Sequence, residues 1–185
     1  MTQEIKNVLI NHCAPVLMGV KPSAIFTLCC GGCVSYLQKN SAKNICVEPL
    51  YPTSCGRILT MLYNPVLLES LVLSRDALFM LSALGYPSKI KSDLSIGHLK
   101  KRFEICADFP HEIGFFLGYP EEDVLGFIKN KGQNYKHCGL WKVYGDVDKY
   151  QKRRMSYRFS QECLKKYLEC GGDIKNFTAA LKYAA

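Results

Sequence analysis

The sequence predicts an α+β fold in which helix exceeds strand by a wide margin, and three observations carry that prediction. Four short stretches rich in β-branched and aromatic residues, 24–28, 45–50, 57–63 and 140–144, read as strands of a small mixed sheet. Apolar residues at helical spacing fill most of the chain between and after them. Gly and Pro punctuate these elements, yet no linker or low-complexity tract divides the chain, so residues 1–185 read as one domain.

Ile5, Val8, Leu9 and Cys13 share a helical face, which predicts a first helix over Thr2 to Asn11 with His12-Cys13-Ala14-Pro15 near its end. Val16 to Pro22 is then a connection. Ala24 to Leu28 is a short buried strand, and Cys29 to Cys33 turns into a helix from Val34 to about Ala42. Ile45 to Leu50 and Arg57 to Tyr63 form a hairpin about the turn Tyr51 to Gly56. Pro65 at one end and Gly85-Tyr86-Pro87 at the other frame one long helix, with Val66, Leu67, Leu71, Leu78, Leu81 and Leu84 on its buried side. Leu94 to Ala107 is a further helix.

The most information-dense stretch runs from Pro110 to Gly145. Pro110 suits a first helical turn, His111 and Glu112 stand at that helix start, and Gly118-Tyr119-Pro120 ends it. Glu121, Glu122 and Asp123 open a second helix, where acids suit the dipole, and Gly132 closes it. After a loop, the alternation Leu140-Trp141-Lys142-Val143-Tyr144 predicts a strand packed by the last helix, Val147 to about Glu169. That helix stops at Gly171-Gly172, and a short one can follow from Asp173. Met155, Phe159, Cys163 and Tyr167 are expected to line its buried face, with Lys149, Lys152, Arg153, Arg154 and Arg158 on the other.

Hydrophobic residues at 48% and charged residues at 22% exclude a disordered chain. The longest apolar run, Val66 to Leu84, carries Glu69, Arg75 and Asp76, which argues against a membrane span. The first residues, Met1 to Lys6, hold an acid and no apolar core of a signal peptide, so a cytoplasmic location is expected. In that compartment the ten cysteines are reduced thiols rather than a disulfide framework. The formal charge of +8 is uneven: residues 1–128 hold 11 Lys and Arg against 11 Asp and Glu, and residues 129–185 hold 13 against 5. Such a basic end can attract phosphate-bearing or acidic partners, including nucleic acid through the cations and Tyr150, Tyr157 and Phe159. An amphipathic helix lying on a core explains the same pattern and is the preferred reading, so nucleic acid is not expected as a partner.

Three groups of residues can carry chemistry. Cys30-Gly31-Gly32-Cys33 follows a strand and opens a helix, where amide dipoles favour a thiolate, which suits thiol redox work or, with Cys29, a metal. A complete zinc site would want a second such pair, and the sequence has none. Cys13 beside His12, with His111 and Asp123 later, repeats the chain order of a cysteine hydrolase. The third group is the expected ligand site. The two helices joined at Gly118-Tyr119-Pro120 can fold back and bring Asn134, His137 and Cys138 to His111 and Glu112, against a wall of Phe115, Phe116 and Phe127. Lys21 is a further candidate for an anionic ligand. The leading function is binding of a small ligand, cofactor or metal, with a thiol enzyme using Cys30 and Cys33, or Cys13 and His111, as the alternative. No motif names a reaction or a cofactor.

The motifs HCAP and GVKPS near the start, HEIGFFLGYPEEDVLGFIKNKGQNY in the middle and CGLWKVYGD after it resemble the family of unknown function number 3793. That family comprises uncharacterised proteins of anaerobic, clostridia-like bacteria. The resemblance spans His12 to about Tyr150 and raises the weight of the central stretch as a site. It implies a loose link to anaerobic redox or iron metabolism and, with it, a flavodoxin-like redox partner. The run Cys29-Cys30-Gly31-Gly32-Cys33 stands outside the motifs that carry it.

Overall fold

The structure is a computed structural model and describes residues 1–106 and 108–177. The fold is α+β: helices, a three-stranded antiparallel sheet and a two-stranded one. The described chain falls into two compact units, Met1–Leu67 with the chain from Ser156 onward, and Leu68–Met155.

The first unit begins with α1 (Gln3–Val8), capped by Thr2, whose hydroxyl accepts from the Ile5 amide at 3.3 Å. Where the sequence predicts an end near Asn11, the helix instead widens into a π turn (Leu9–Cys13) and continues as α2 (Ala14–Leu17). The reason lies at Pro15. Pro15 has no N–H to offer the carbonyl four residues back, that of Asn11, and the side-chain amide of Gln161 donates to it at 2.8 Å. Strand β1 (Ser23–Leu28) follows, then α3 (Gly31–Asn40), β2 (Cys46–Pro52) and β3 (Ile58–Tyr63). Pairing is antiparallel throughout, in the order β1-β3-β2, with a bulge in β2 between Pro49 and Tyr51. Ala24, Phe26 and Leu28 alternate into a core shared with Ile5, Leu9 and Leu17, with Val34 and Leu37 of α3, and with Leu164 and Leu168. The β2–β3 turn closes through Thr53 N–H to Arg57 C=O at 2.7 Å, with Gly56 at φ +76°, a conformation that glycine takes without strain. That turn fixes the stem of Arg57.

One long helix over 65–84 is not what forms. Helix α4 (Pro65–Glu69) ends and α5 (Arg75–Ala83) starts afresh, because Ser74 caps it through Ala77 N–H at 3.3 Å while its own amide donates to Glu121 at 2.9 Å. Val66, expected on a buried side, is 72% exposed.

In the second unit, α6 (Ser92–Ile105) is tied at its start by Glu69, which accepts from both the amide and the hydroxyl of Ser92. Ala107, expected within that helix, lies outside the described residues. The short α7 (Ile113–Phe116) and α8 (Glu121–Lys129) follow, and Gly118 and Gly132 adopt the positive φ that the two stop signals require. Of the strand expected over 140–144 only Lys142–Val143 forms, with Trp141 and Tyr144 flanking it: β5 (Lys142–Val143) pairs with β4 (His137–Cys138) in a small hairpin of its own. Trp141 packs edge-on against Tyr150 of α9 (Val147–Glu169) at 4.8 Å.

The inner face of α9 differs from the expectation. Tyr150, Tyr157, Ser160, Leu164 and Leu168 are buried, whereas Met155 and Phe159 are exposed. The spacing of the buried set is as good a helical stripe as the expected one, and the larger tyrosines take the core. Residues 174–177 are helical, and the remainder of the helix expected from Asp173 lies outside the described residues. Among the described residues no helix is long and apolar enough to cross a membrane.

Candidate functional site

The three clustered cysteines sit where β1 hands over to α3. Cys30 is the N-cap of α3 with extended backbone (φ −161°, ψ 166°), and Cys33 N–H donates to Cys30 C=O at 3.1 Å. This sharp entry turns Cys29, Cys30 and Cys33 toward one another. Their sulfurs stand 3.5 Å (Cys29–Cys33), 3.8 Å (Cys29–Cys30) and 3.8 Å (Cys30–Cys33) apart. A disulfide needs about 2.05 Å, so these are thiols, and all ten cysteines are free. Cys29 and Cys30 are exposed and Cys33 is buried.

A carboxylate reaches the cluster from α1. Glu4 Oε2 lies 3.9 Å from the Cys33 sulfur, and Arg57 Nη2 donates to Glu4 Oε1 at 2.6 Å. Arg57 is itself held, donating from Nε to Thr27 Oγ1 at 3.1 Å and from Nη2 to the Thr27 carbonyl at 3.0 Å. The electrostatics divide the thiols. The backbone N–H of Cys33, followed by the thiols of Cys29 and Cys33 and the N–H of Gly32, lowers the Cys30 pKa. The Glu4 carboxylate, accepting from Cys29, pushes that thiol up to about 12. The Cys29 hydrogen bond pulls Cys33 down, but burial and its contacts with Cys30 and Glu4 outweigh it, so Cys33 is raised. Glu4 is held below the usual carboxylate range, first by the Cys29 thiol and then, against the opposing effect of burial, by Arg57. The set comprises three thiols, of which Cys30 at the helix N-terminus gives up its proton most readily, and a carboxylate.

One metal ion matches this spacing. With Zn–S bonds of about 2.3 Å, the edge of a tetrahedron is about 3.8 Å. A [4Fe–4S] cluster, which binds each cysteine to a different iron, needs wider spacing than these sulfurs have.

The other candidate residues are placed as follows. Cys13 is fully buried, and burial pushes its thiol well above the ordinary thiol value, so it stays protonated. Lys21 lies near it, and burial pushes the ammonium down to about 8, with the Cys13 sulfur opposing. Its Nζ stands 5.7 Å from the Tyr157 ring centre. In the second unit a cavity of about 420 Å³ is lined by His111 and Glu112, with Arg102 and Asp108 and an apolar wall that includes Met80, Phe109 and Ile128. Glu112 is 3% exposed, accepting from Arg102 Nε at 2.8 Å and from the Tyr86 hydroxyl at 3.2 Å. His111 is exposed, its ring 4.7 Å from Phe127. His137 and Cys138 belong to β4, with His137 5.1 Å from the Tyr150 ring, and Asn134 occupies a left-handed position at φ +57°. Neither β4 residue, nor Asn134, is among those lining the cavity, and the walls expected from Phe115 and Phe116 are instead core. Sequence reasoning found the three cysteines and missed Glu4 and Arg57.

A family model described as "Protein of unknown function (DUF3793)" matches residues 9–178. The three cysteines and Arg57 fall within the matched span, and Glu4 precedes it. No curated protein and no solved structure matches the chain.

Proposed function

The chain belongs to DUF3793, a family whose description assigns no activity, and we propose that it binds a single borderline divalent metal ion through Cys29, Cys30 and Cys33. One observation carries the reading. Sulfur separations of 3.5, 3.8 and 3.8 Å leave room for one ion at bonding distance from all three. Thiolate ligands favour zinc or ferrous iron over harder cations. Such ligands persist in a reducing compartment, which fits the cytoplasm, and a ferrous occupant would connect the protein with iron metabolism.

The test is elemental analysis and zinc titration of full-length protein purified under reductant without oxygen. One equivalent of metal is expected, lost in Cys30→Ser and Cys33→Ser and kept in Cys55→Ser. Wild-type protein without metal, forming instead a reversible Cys30–Cys33 disulfide, would replace this reading with a dithiol redox one.

A second reading belongs to the other unit. The cavity beside His111 and Glu112, about 420 Å³, falls in the range of about 300–1,000 Å³ typical of small-molecule sites. Filling it with Ile128→Trp checks this: compounds that raise the melting temperature of wild type but not of the variant support the cavity as a site.

A further inference from the structure

We infer that Glu4 is the fourth ligand of the metal and that Arg57 is the residue that positions it. The inference rests on the metal reading above and adds to it the oxygen donor and its holder. Three thiols leave a tetrahedron one donor short, and Glu4 brings to the cluster a carboxylate that accepts from the Cys29 thiol and lies beside the Cys33 sulfur. For Zn–S and Zn–O bonds of about 2.3 and 2.0–2.2 Å, a sulfur–oxygen edge is about 3.5–3.7 Å. The observed 3.9 Å between Glu4 Oε2 and the Cys33 sulfur is a few tenths longer, and the carboxylate is not within 4.8 Å of all three sulfurs, so binding would draw the Glu4 side chain in toward the ion.

Two features hold that oxygen ready. Helix α1 is anchored by buried Ile5, the neighbour of Glu4, and started by the Thr2 cap, so the carboxylate hangs from a fixed stem. Arg57 then occupies Oε1 at 2.6 Å and leaves Oε2 as the oxygen facing the sulfurs. Arg57 cannot follow a wandering carboxylate, since Thr27 holds its guanidinium through both hydroxyl and carbonyl. Charge supports the same arrangement. Three thiolates and a carboxylate carry four negative charges against the ion's two positive ones, and the guanidinium and the N-terminal amides of α3 lie where that excess falls. The site therefore takes an S₃O donor set, suited to zinc, cobalt(II) or iron(II) rather than to a cuprous ion that prefers sulfur alone.

Cobalt(II) tests the assignment, because its thiolate charge-transfer and ligand-field absorptions report the donors directly. Reduced full-length wild type is expected to take one equivalent with the spectrum of a tetrahedral three-thiolate site. Glu4→Ala should keep the charge-transfer intensity, shift the ligand-field bands as water enters, and lose at least about tenfold in affinity. Glu4→Cys should restore tight binding and raise the charge-transfer intensity to that of four thiolates. Arg57→Met should weaken binding by about 10- to 100-fold with the bands unmoved, as expected of a residue acting through another. Wild-type bands and affinity in folded Glu4→Ala would overturn Glu4 as ligand and leave the three-thiolate reading standing. A wild-type protein that takes no cobalt overturns both.

Discussion

Trp141 donates its indole N–H to Asp123 at 2.7 Å, and the other oxygen of that buried carboxylate accepts from the backbone of Tyr144 at 2.7 Å and of Gly145 at 2.8 Å. One side chain in the first turn of α8 thus satisfies three donors of the β5 region. Asp123→Ala removes this acceptor from all three. With about 1–3 kcal/mol lost for the buried indole contact, and less for each of the half-buried Tyr144 and Gly145 amides, a loss of about 3 kcal/mol is expected in urea unfolding followed by Trp141 fluorescence. A loss below about 1 kcal/mol would mean that the hairpin does not depend on this carboxylate.

Gly126 of α8 is a second test of the same packing. A Cβ there would meet Tyr144 Cγ at 2.5 Å and Tyr144 Cβ at 2.6 Å, and the latter cannot be moved by rotating the side chain. Helix propensity alone favours Gly126→Ala by about 1 kcal/mol, so the two effects have opposite signs. Net destabilisation of about 1–3 kcal/mol is expected from overpacking, and a stabilised variant would show that α8 and Tyr144 separate easily.

Lys21 predicts a pH dependence. Its folded pKa, about 8, lies below the ordinary 10.5, so above pH 8 the unfolded chain holds a proton that the folded chain has released. Stability contributed by this group therefore rises with pH, starting near 8. Cys13 acts oppositely once unfolded thiols ionise near 9.0, because its folded thiol keeps the proton. His12, lowered from 6.5 first by burial and then by Lys21, titrates below this window. The net expectation is a gain of about 1 kcal/mol between pH 8 and 9, absent in Lys21→Met. Equal slopes in the two proteins would remove the buried ammonium from the account.

Metal should stabilise the folded protein by mass action. At a free zinc concentration of about 100 times the dissociation constant the gain is about 2.7 kcal/mol, visible as a higher melting temperature that a chelator reverses. Cys30→Ser should lose this shift and Cys138→Ser, on the β4 hairpin, should keep it. The reverse pattern would move the metal to the second unit.

We also expect one cooperative unfolding transition, since α9 is an uninterrupted helix that starts in the second unit and finishes in the first. Trp141, the single tryptophan, reports the second unit, and far-ultraviolet circular dichroism reports both. Coincident curves support a single domain, and two separated midpoints would divide it.

Local signals were legible in the sequence and distant ones were not. Strand alternation, the Gly118 and Gly132 stops and the cysteine turn each lie within a few consecutive residues, where backbone sterics and hydrogen bonding decide the outcome. The break before α5 was hidden because apolar residues continue on both sides of Ser74, and periodicity outvoted one capping hydroxyl. On α9 two stripes of similar hydrophobicity competed, and only packing selects Tyr150 and Tyr157 over Met155 and Phe159. Glu4 meets Cys33 across 29 residues and Arg57 across 53, separations that no motif in a single chain encodes. Asp123 looked like an acid answering a helix dipole, and its larger role as a buried acceptor depends on a hairpin 18 residues later.

The composition of β2 sets the direction in which the sheet can recruit another chain. In the order β1-β3-β2 this strand is an edge, and Pro49 and Pro52 remove two amides from it while the bulge between Pro49 and Tyr51 shifts its register. An incoming strand would find the ladder interrupted on that side. Growth of ordered aggregates by edge addition is therefore disfavoured on the β2 side. Replacing both prolines with valine should open the β2 side and speed fibril formation on partial unfolding.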